Sequence, residues 1–67
     1  MSHVPDYSIP GAMVRRLMRN HKVTIRSLAE KYSITLKRIR EVRKDGVRGF
    51  AANEWHYLIT GVWLDKS

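Results

Sequence analysis

Residues Ile25–Val42 read IRSLAEKYSITLKRIREV. Apolar side chains recur at Ile25, Leu28, Tyr32, Ile34, Ile39 and Val42, with the small Ala29 in the first half and Ser33 between the halves. Residues three and four apart share a helix face, so this spacing predicts two short helices packed at an angle. Thr24 is a favourable N-cap for the first, Ile25 to about Tyr32, and Thr35 for the second, Leu36 to about Lys44. Ala29 is small enough to let the second helix approach closely. Ile39 and Val42 point inward, which leaves Leu36, Lys37, Arg38, Arg40, Glu41, Arg43 and Lys44 for solvent. Asp45–Gly46 is a strong stop, because glycine accepts the positive φ that ends many helices.

On the N-terminal side, a further helix is expected to start at Ser8–Pro10, where the missing proline N–H costs nothing in the first turn. Met13, Val14, Leu17 and Met18 fall on one face of it and Arg15, Arg16 and Arg19 on the other. Asn20 is the expected left-handed residue at its end. On the C-terminal side, Val47–Phe50 reads as a loop. A fourth helix follows over about Ala51 to Thr60, with Trp55, Leu58 and Ile59 on one face and Gly61 as its end. No stretch alternates in the manner of a strand, so the expected fold is all-α with four to five helices. Residues 1–8 are expected to be a mobile arm, 9–64 the folded domain and 65–67 a short tail.

Sixty-seven residues make one domain, and a chain this short buries only a modest fraction of its surface, so self-association is expected to help it. There is no cysteine, which removes disulfides and cysteine-based zinc sites. No run of 18 apolar residues is present, and MSHVPDYSIPG lacks the basic and apolar regions of a secretory signal. Thirteen Lys and Arg face six Asp and Glu, a net charge of +7. Twelve of those cations lie between Arg15 and Arg48 against only Glu30, Glu41 and Asp45, so twelve less three leaves +9 in that stretch. A concentrated positive field attracts polyanions, of which nucleic acid is the commonest; the plain alternative is a soluble basic surface.

The placement of the cations sharpens this. Lys37 and Arg38 fall in the first turn of the third helix, where a positive charge opposes the helix dipole at a cost of roughly 0.3–1 kcal/mol each. Contact with a polyanion would offset that cost. In a helix-turn-helix the second helix enters the major groove with its N-terminal residues against base edges. The expected base-contacting set is Leu36, Lys37, Arg38, Arg40 and Glu41. Lys37, Arg38 and Arg40 are suited to guanine O6 and N7, and Leu36 to a thymine methyl. Thr35 has two roles open to it, helix cap and phosphate donor. Arg26, Arg43, Lys44, Arg48, Arg19 and Lys22, with Arg15 and Arg16, are candidates for phosphate contacts, which set register without reading sequence.

The arrangement resembles the lambda-repressor/Cro-like (XRE) helix-turn-helix family over about residues 12–64. The family places Ala at the fifth position of its motif, which is Ala29 when the motif begins at Ile25. Its inward aliphatics match Leu28, Ile34, Ile39 and Val42, and GVWLD at Gly61–Asp65 is similar to the run that often follows its fourth helix. Two positions depart: Ser33 stands where the family usually has Gly, and Ile25 where it often has a phosphate-binding Gln, leaving Arg26 as the replacement. The resemblance implies a cytoplasmic, bacterial transcriptional regulator, most often a dimeric repressor on an inverted repeat of double-stranded DNA. Small members of this kind are frequent on phages and plasmids.

The aromatics Phe50, Trp55, Tyr57 and Trp63 cluster in the C-terminal quarter. Trp55 and Phe50 are expected to fill the core. Val62, Trp63 and Leu64 either form a homodimer seam or fold back on their own monomer. His3, His21 and His56 show no ligand spacing, and Ser8, Ser27 and Ser33 suit caps and turns rather than a nucleophile. No cofactor, metal, membrane or small-molecule ligand is indicated, and an enzyme is not expected. Two other functions compete: a non-specific architectural or RNA-binding module, and a mobile-element interaction protein whose basic face docks on an acidic partner.

Overall fold

A computed structural model describes residues 7–64. Its elements run β1 (Ser8–Ile9), α1 (Gly11–Asn20), α2 (Ile25–Tyr32), α3 (Leu36–Asp45), β2 (Val47–Arg48) and α4 (Phe50–Thr60). The mainly helical expectation holds, and the two helices of the 25–42 stretch lie where their caps put them. Thr24 Oγ1 accepts from Ser27 N at 3.0 Å while Ser27 Oγ accepts from Thr24 N at 3.0 Å, a reciprocal box that satisfies two otherwise orphaned donors. Thr35 Oγ1 accepts from Arg38 N at 3.1 Å and starts α3. Ser33 bends the chain between them in the left-handed region, φ 56° and ψ 40°.

Three boundaries differ from expectation. Pro10 is the N-cap of α1 rather than a residue of its first turn, and Ser8 lies in a strand. The left-handed residue after α1 is Lys22 (φ 55°), not Asn20, which stays helical. Lys22 N donates to Arg19 O at 3.2 Å and Val23 N to Met18 O at 2.8 Å. That is the paired bonding of a Schellman end, with the left-handed residue two positions later than composition suggests. The 47–50 segment is not a simple loop: Val47–Arg48 pairs antiparallel with Ser8–Ile9, Gly49 caps α4, and Phe50 opens it. Two-residue strands are too short to show alternation, which is why this ladder is invisible to periodicity.

The ladder also moves the start of the folded domain. Gly49 N donates to Tyr7 O at 2.9 Å, and Ser8 faces Arg48 in register, so Tyr7 and Ser8 belong to the fold rather than to a mobile arm. The remaining arm residues 1–6 and the tail 65–67 lie outside the described residues. Ile9, Val14, Met18, Leu28, Ile39, Val42, Val47, Ala52, Trp55 and Ile59 are buried together in one core. α1 and α2 both pack chiefly on α3. The junction at the C-terminal end of α3 is tight. A Cβ on Gly11 would lie 2.5 Å from Lys44 O, and one on Gly46 (φ 82°) would collide with the Ile9 carbonyl. The end of α3 and the start of α1 therefore meet backbone to backbone.

Two expectations about aromatic and apolar groups are corrected. Trp55 is buried, but Phe50 is 60% exposed, because it sits at the first position of α4 on the side opposite Ala52, Trp55 and Ile59. Leu64 folds back: its N–H donates to Asn53 Oδ1 at 2.7 Å and its side chain packs against the core. Val62 and Trp63 stay exposed.

Candidate nucleic-acid interface

α3 is anchored by Ile39 and Val42, both fully buried. At about 100° per residue, Lys37, Arg40, Glu41 and Lys44 stand on the opposite side. Arg38 and Asp45 lie on one flank, Leu36 and Arg43 on the other. The four outward residues are all exposed, and Leu36 is 42% exposed. Arg38 Nη1 lies 3.9 Å from Glu41 Oε1, with both side chains about half exposed (51% and 49%). In that setting the pair contributes little to stability, on the order of 0–1 kcal/mol, but it partly neutralises Arg38. Of the expected base-contacting set, Lys37, Arg40 and Glu41 therefore share the outer face, and Leu36 and Arg38 flank it.

The Leu36–Arg43 flank continues toward a second feature. Arg15, Arg19, Arg26 and Arg43 line one open groove of about 690 Å³ together with Met18, Val23, Thr24 and Ile25. Three elements supply the arginines. Arg15 and Arg19 project from α1 beside the buried Val14–Met18 stripe, Arg26 comes from the first turn of α2, and Arg43 from the last turn of α3. Arg15 donates to the Arg43 carbonyl, so its guanidinium caps the C-terminal end of α3, where positive charge is favourable. Arg43 is half-buried, and its Nε meets no acceptor among the described residues. At the groove floor the box between Thr24 and Ser27 uses the Thr24 and Ser27 N–H groups, and Leu28 N donates to Thr24 O, so the first-turn N–H groups that remain are those of Ile25 and Arg26. Ile25 cannot bond an anion through its side chain, but its backbone can.

The remaining expected phosphate contacts are not gathered in this groove. Lys44 stands on the outer face of α3, Arg48 is exposed on β2, and Arg16 and Lys22 are exposed on and after α1. Thr35 uses its hydroxyl as a cap. Sequence reasoning named each arginine of the groove, yet nothing in the linear order showed that four of them converge. That convergence arises from the packing of α1 across α3.

Elsewhere, His56 Nδ1 is 2.6 Å from Val62 O and 3.2 Å from Thr60 Oγ1, contacts that hold the turn after α4. Tyr57 and Trp63 stack with ring centroids 4.3 Å apart and planes 13° apart. Among the described residues, no group of three or more His, Asp or Glu is placed to hold a metal ion, and no helix is long and apolar enough to cross a membrane. No protein-family model, no curated protein and no solved structure matches this chain.

Proposed function

We propose that the chain is a sequence-specific double-stranded-DNA-binding regulator, a repressor that reads an inverted-repeat operator as a dimer through α3. The observation that carries this reading is the outer face of α3. Lys37, Arg40 and Lys44 project from a helix whose far side is sealed by Ile39 and Val42, with exposed Leu36 at its leading end. Cations on a rigid helix suit direct readout, since bidentate contacts need a fixed origin. The capped α2, the three-residue turn at Ser33–Thr35 and the capped α3 support a helix-turn-helix, as does the resemblance to the lambda-repressor/Cro-like family. In this reading the arginine groove beside α2 takes backbone phosphate and sets register. Arg40 ranks above Arg38 as a base reader, because Glu41 competes for Arg38.

Selection of bound sequences from a random duplex pool tests the proposal. An inverted repeat with half-sites about 10–10.5 bp apart, or a multiple of that, is the expected result. Recovery of no consensus, with structured RNA competing equally, would reduce the chain to a non-specific module. No retention of nucleic acid at about 0.15 M salt would favour an acidic protein partner instead.

A further inference from the structure

Chain order disperses the four arginines of the groove. Arg15 and Arg43 are 28 residues apart, yet Arg15 donates to the Arg43 carbonyl and is braced where α1 meets the end of α3. The groove lining contains no Asp or Glu, and among the described residues the one ion pair, Arg38–Glu41, lies outside it. A guanidinium does not lose its proton in a protein, so the groove keeps all four charges at any ordinary pH. Arg19 and Arg43 stand in the last turns of α1 and α3, where the helix dipole favours them. Arg26 is the exception. It stands in the first turn of α2, where the dipole opposes a cation, and it faces the same groove as the other three. Arg43 is half-buried with an Nε that meets no acceptor among the described residues, which is costly for a charged group. An anion in the groove would relieve both.

We infer that this groove is a binding site for a small molecule that carries a compact, multiply charged phosphate group, a diphosphate or a terminal phosphomonoester. Charge decides between this ligand and a lone backbone phosphate. A duplex brings one charge per phosphate, spaced about 3.4 Å along the axis of each strand. One diester thus offsets one guanidinium of the four. A phosphomonoester carries about −1.5 to −2 at pH 7, and a diphosphate concentrates still more charge in one place. The Ile25 and Arg26 N–H groups left over at the start of α2 donate to phosphate oxygens, and the guanidinium forks suit the same oxygens in pairs. At about 690 Å³ the groove has the size of a small-molecule site, roughly 300–1,000 Å³. Met18, Val23 and Ile25 supply an apolar wall for the rest of the molecule. The site stands on this geometry alone. That its occupation would exclude duplex phosphate from the same place rests on the proposed DNA-binding role.

Titration calorimetry with inorganic pyrophosphate, without DNA, tests the site, and amide NMR shifts locate it. Pyrophosphate is expected to saturate at one per chain and to move the Ile25 and Arg26 amides. Dimethyl phosphate, a singly charged diester, should do neither at the same concentration and ionic strength. Arg26→Ala, at an exposed residue outside the core, should lower pyrophosphate affinity about tenfold or more. Lys31→Ala removes the same charge from an exposed position outside the groove and should bind as the parent does. Pyrophosphate no tighter than dimethyl phosphate, parental affinity in Arg26→Ala, or shifts as large at Lys37 and Arg40 as at Ile25 and Arg26 would overturn the inference. These measurements contain no DNA, so their failure leaves the DNA reading standing. A chain that holds pyrophosphate in the groove but retains no duplex would support the site and sink the DNA reading.

Discussion

Ser33 occupies a position that glycine fills more comfortably. Its φ of 56° places Cβ close to the following carbonyl, a cost of roughly 1–2 kcal/mol for a non-glycine residue. Ser33→Gly removes that strain but gives the unfolded chain more freedom. The expected net effect is a gain of about 0.5–1 kcal/mol, read as a higher denaturant midpoint with an unchanged slope. A loss of stability would mean that the serine hydroxyl contributes more than the backbone strain costs. Among the described residues, Lys22 is the other non-glycine residue with positive φ, but it lies in a Schellman end whose hydrogen bonds hold it. These two positions mark the limit of reading single residues. Asn20 looked the better left-handed residue by propensity, yet the helix ends where Val23 can pack beside Met18 on the groove wall. Side-chain packing, not intrinsic preference, selected the end.

At the scale of elements, α3 is the part most legible in advance. Its threonine cap, its two inward aliphatics and its glycine stop were all readable, because each is a local rule with a fixed offset. The order of its cations by role was not, since the Arg38–Glu41 pair and the half-burial of Arg43 depend on neighbours. This gives a sharp expectation. Lys37→Ala and Arg40→Ala should each weaken binding to the selected operator by about 1–3 kcal/mol, with a smaller loss on random duplex. Arg38→Ala should cost less than either. Fluorescence anisotropy on both duplexes checks this, and equal losses on operator and random DNA would remove the base-reading role. The β1–β2 ladder is the opposite case. Its strands are two residues each and lie on either side of three helices, so no local pattern announces them. Phe50 is exposed because the onset of α4 at Gly49 turns it outward, which hydrophobicity alone does not show.

Among the described residues, the cations lie between Arg15 and Arg48, and the exposed aromatics Phe50, Tyr57 and Trp63 follow them in the chain. In the proposed DNA-binding role, the concentration of cations over Arg15–Arg48 should make affinity strongly dependent on salt. Each phosphate neutralised should contribute a slope of about −0.9 in a plot of log K against log salt. If the arginine groove and the outer face of α3 both engage, replacing Arg26 with Ala should lower the slope by about one without altering the consensus. A consensus that changes with Arg26→Ala would reassign it from phosphate to base. The net charge of +7 is legible from composition. The convergence of Arg15, Arg19, Arg26 and Arg43 is not, because it is a product of how α1 crosses the other helices.

The clasp between Ser8–Ile9 and Val47–Arg48 also bears on how the protein comes to be folded. It joins segments that lie before α1 and after α3, so the chain must close a loop containing three helices to form it. Closing such a loop costs roughly 3 kcal/mol of chain entropy, while burying Ile9 and Val47 returns about 1.5–3 kcal/mol apiece. That burial exists only once the helices supply the rest of the core, so the clasp is expected to form together with the helices it encloses. During synthesis the segment Tyr7–Ile9 leaves the ribosome first and waits for its partner until Arg48 has followed. Until then α3 lacks the backbone-to-backbone contacts that Gly11 and Gly46 allow at its C-terminal end.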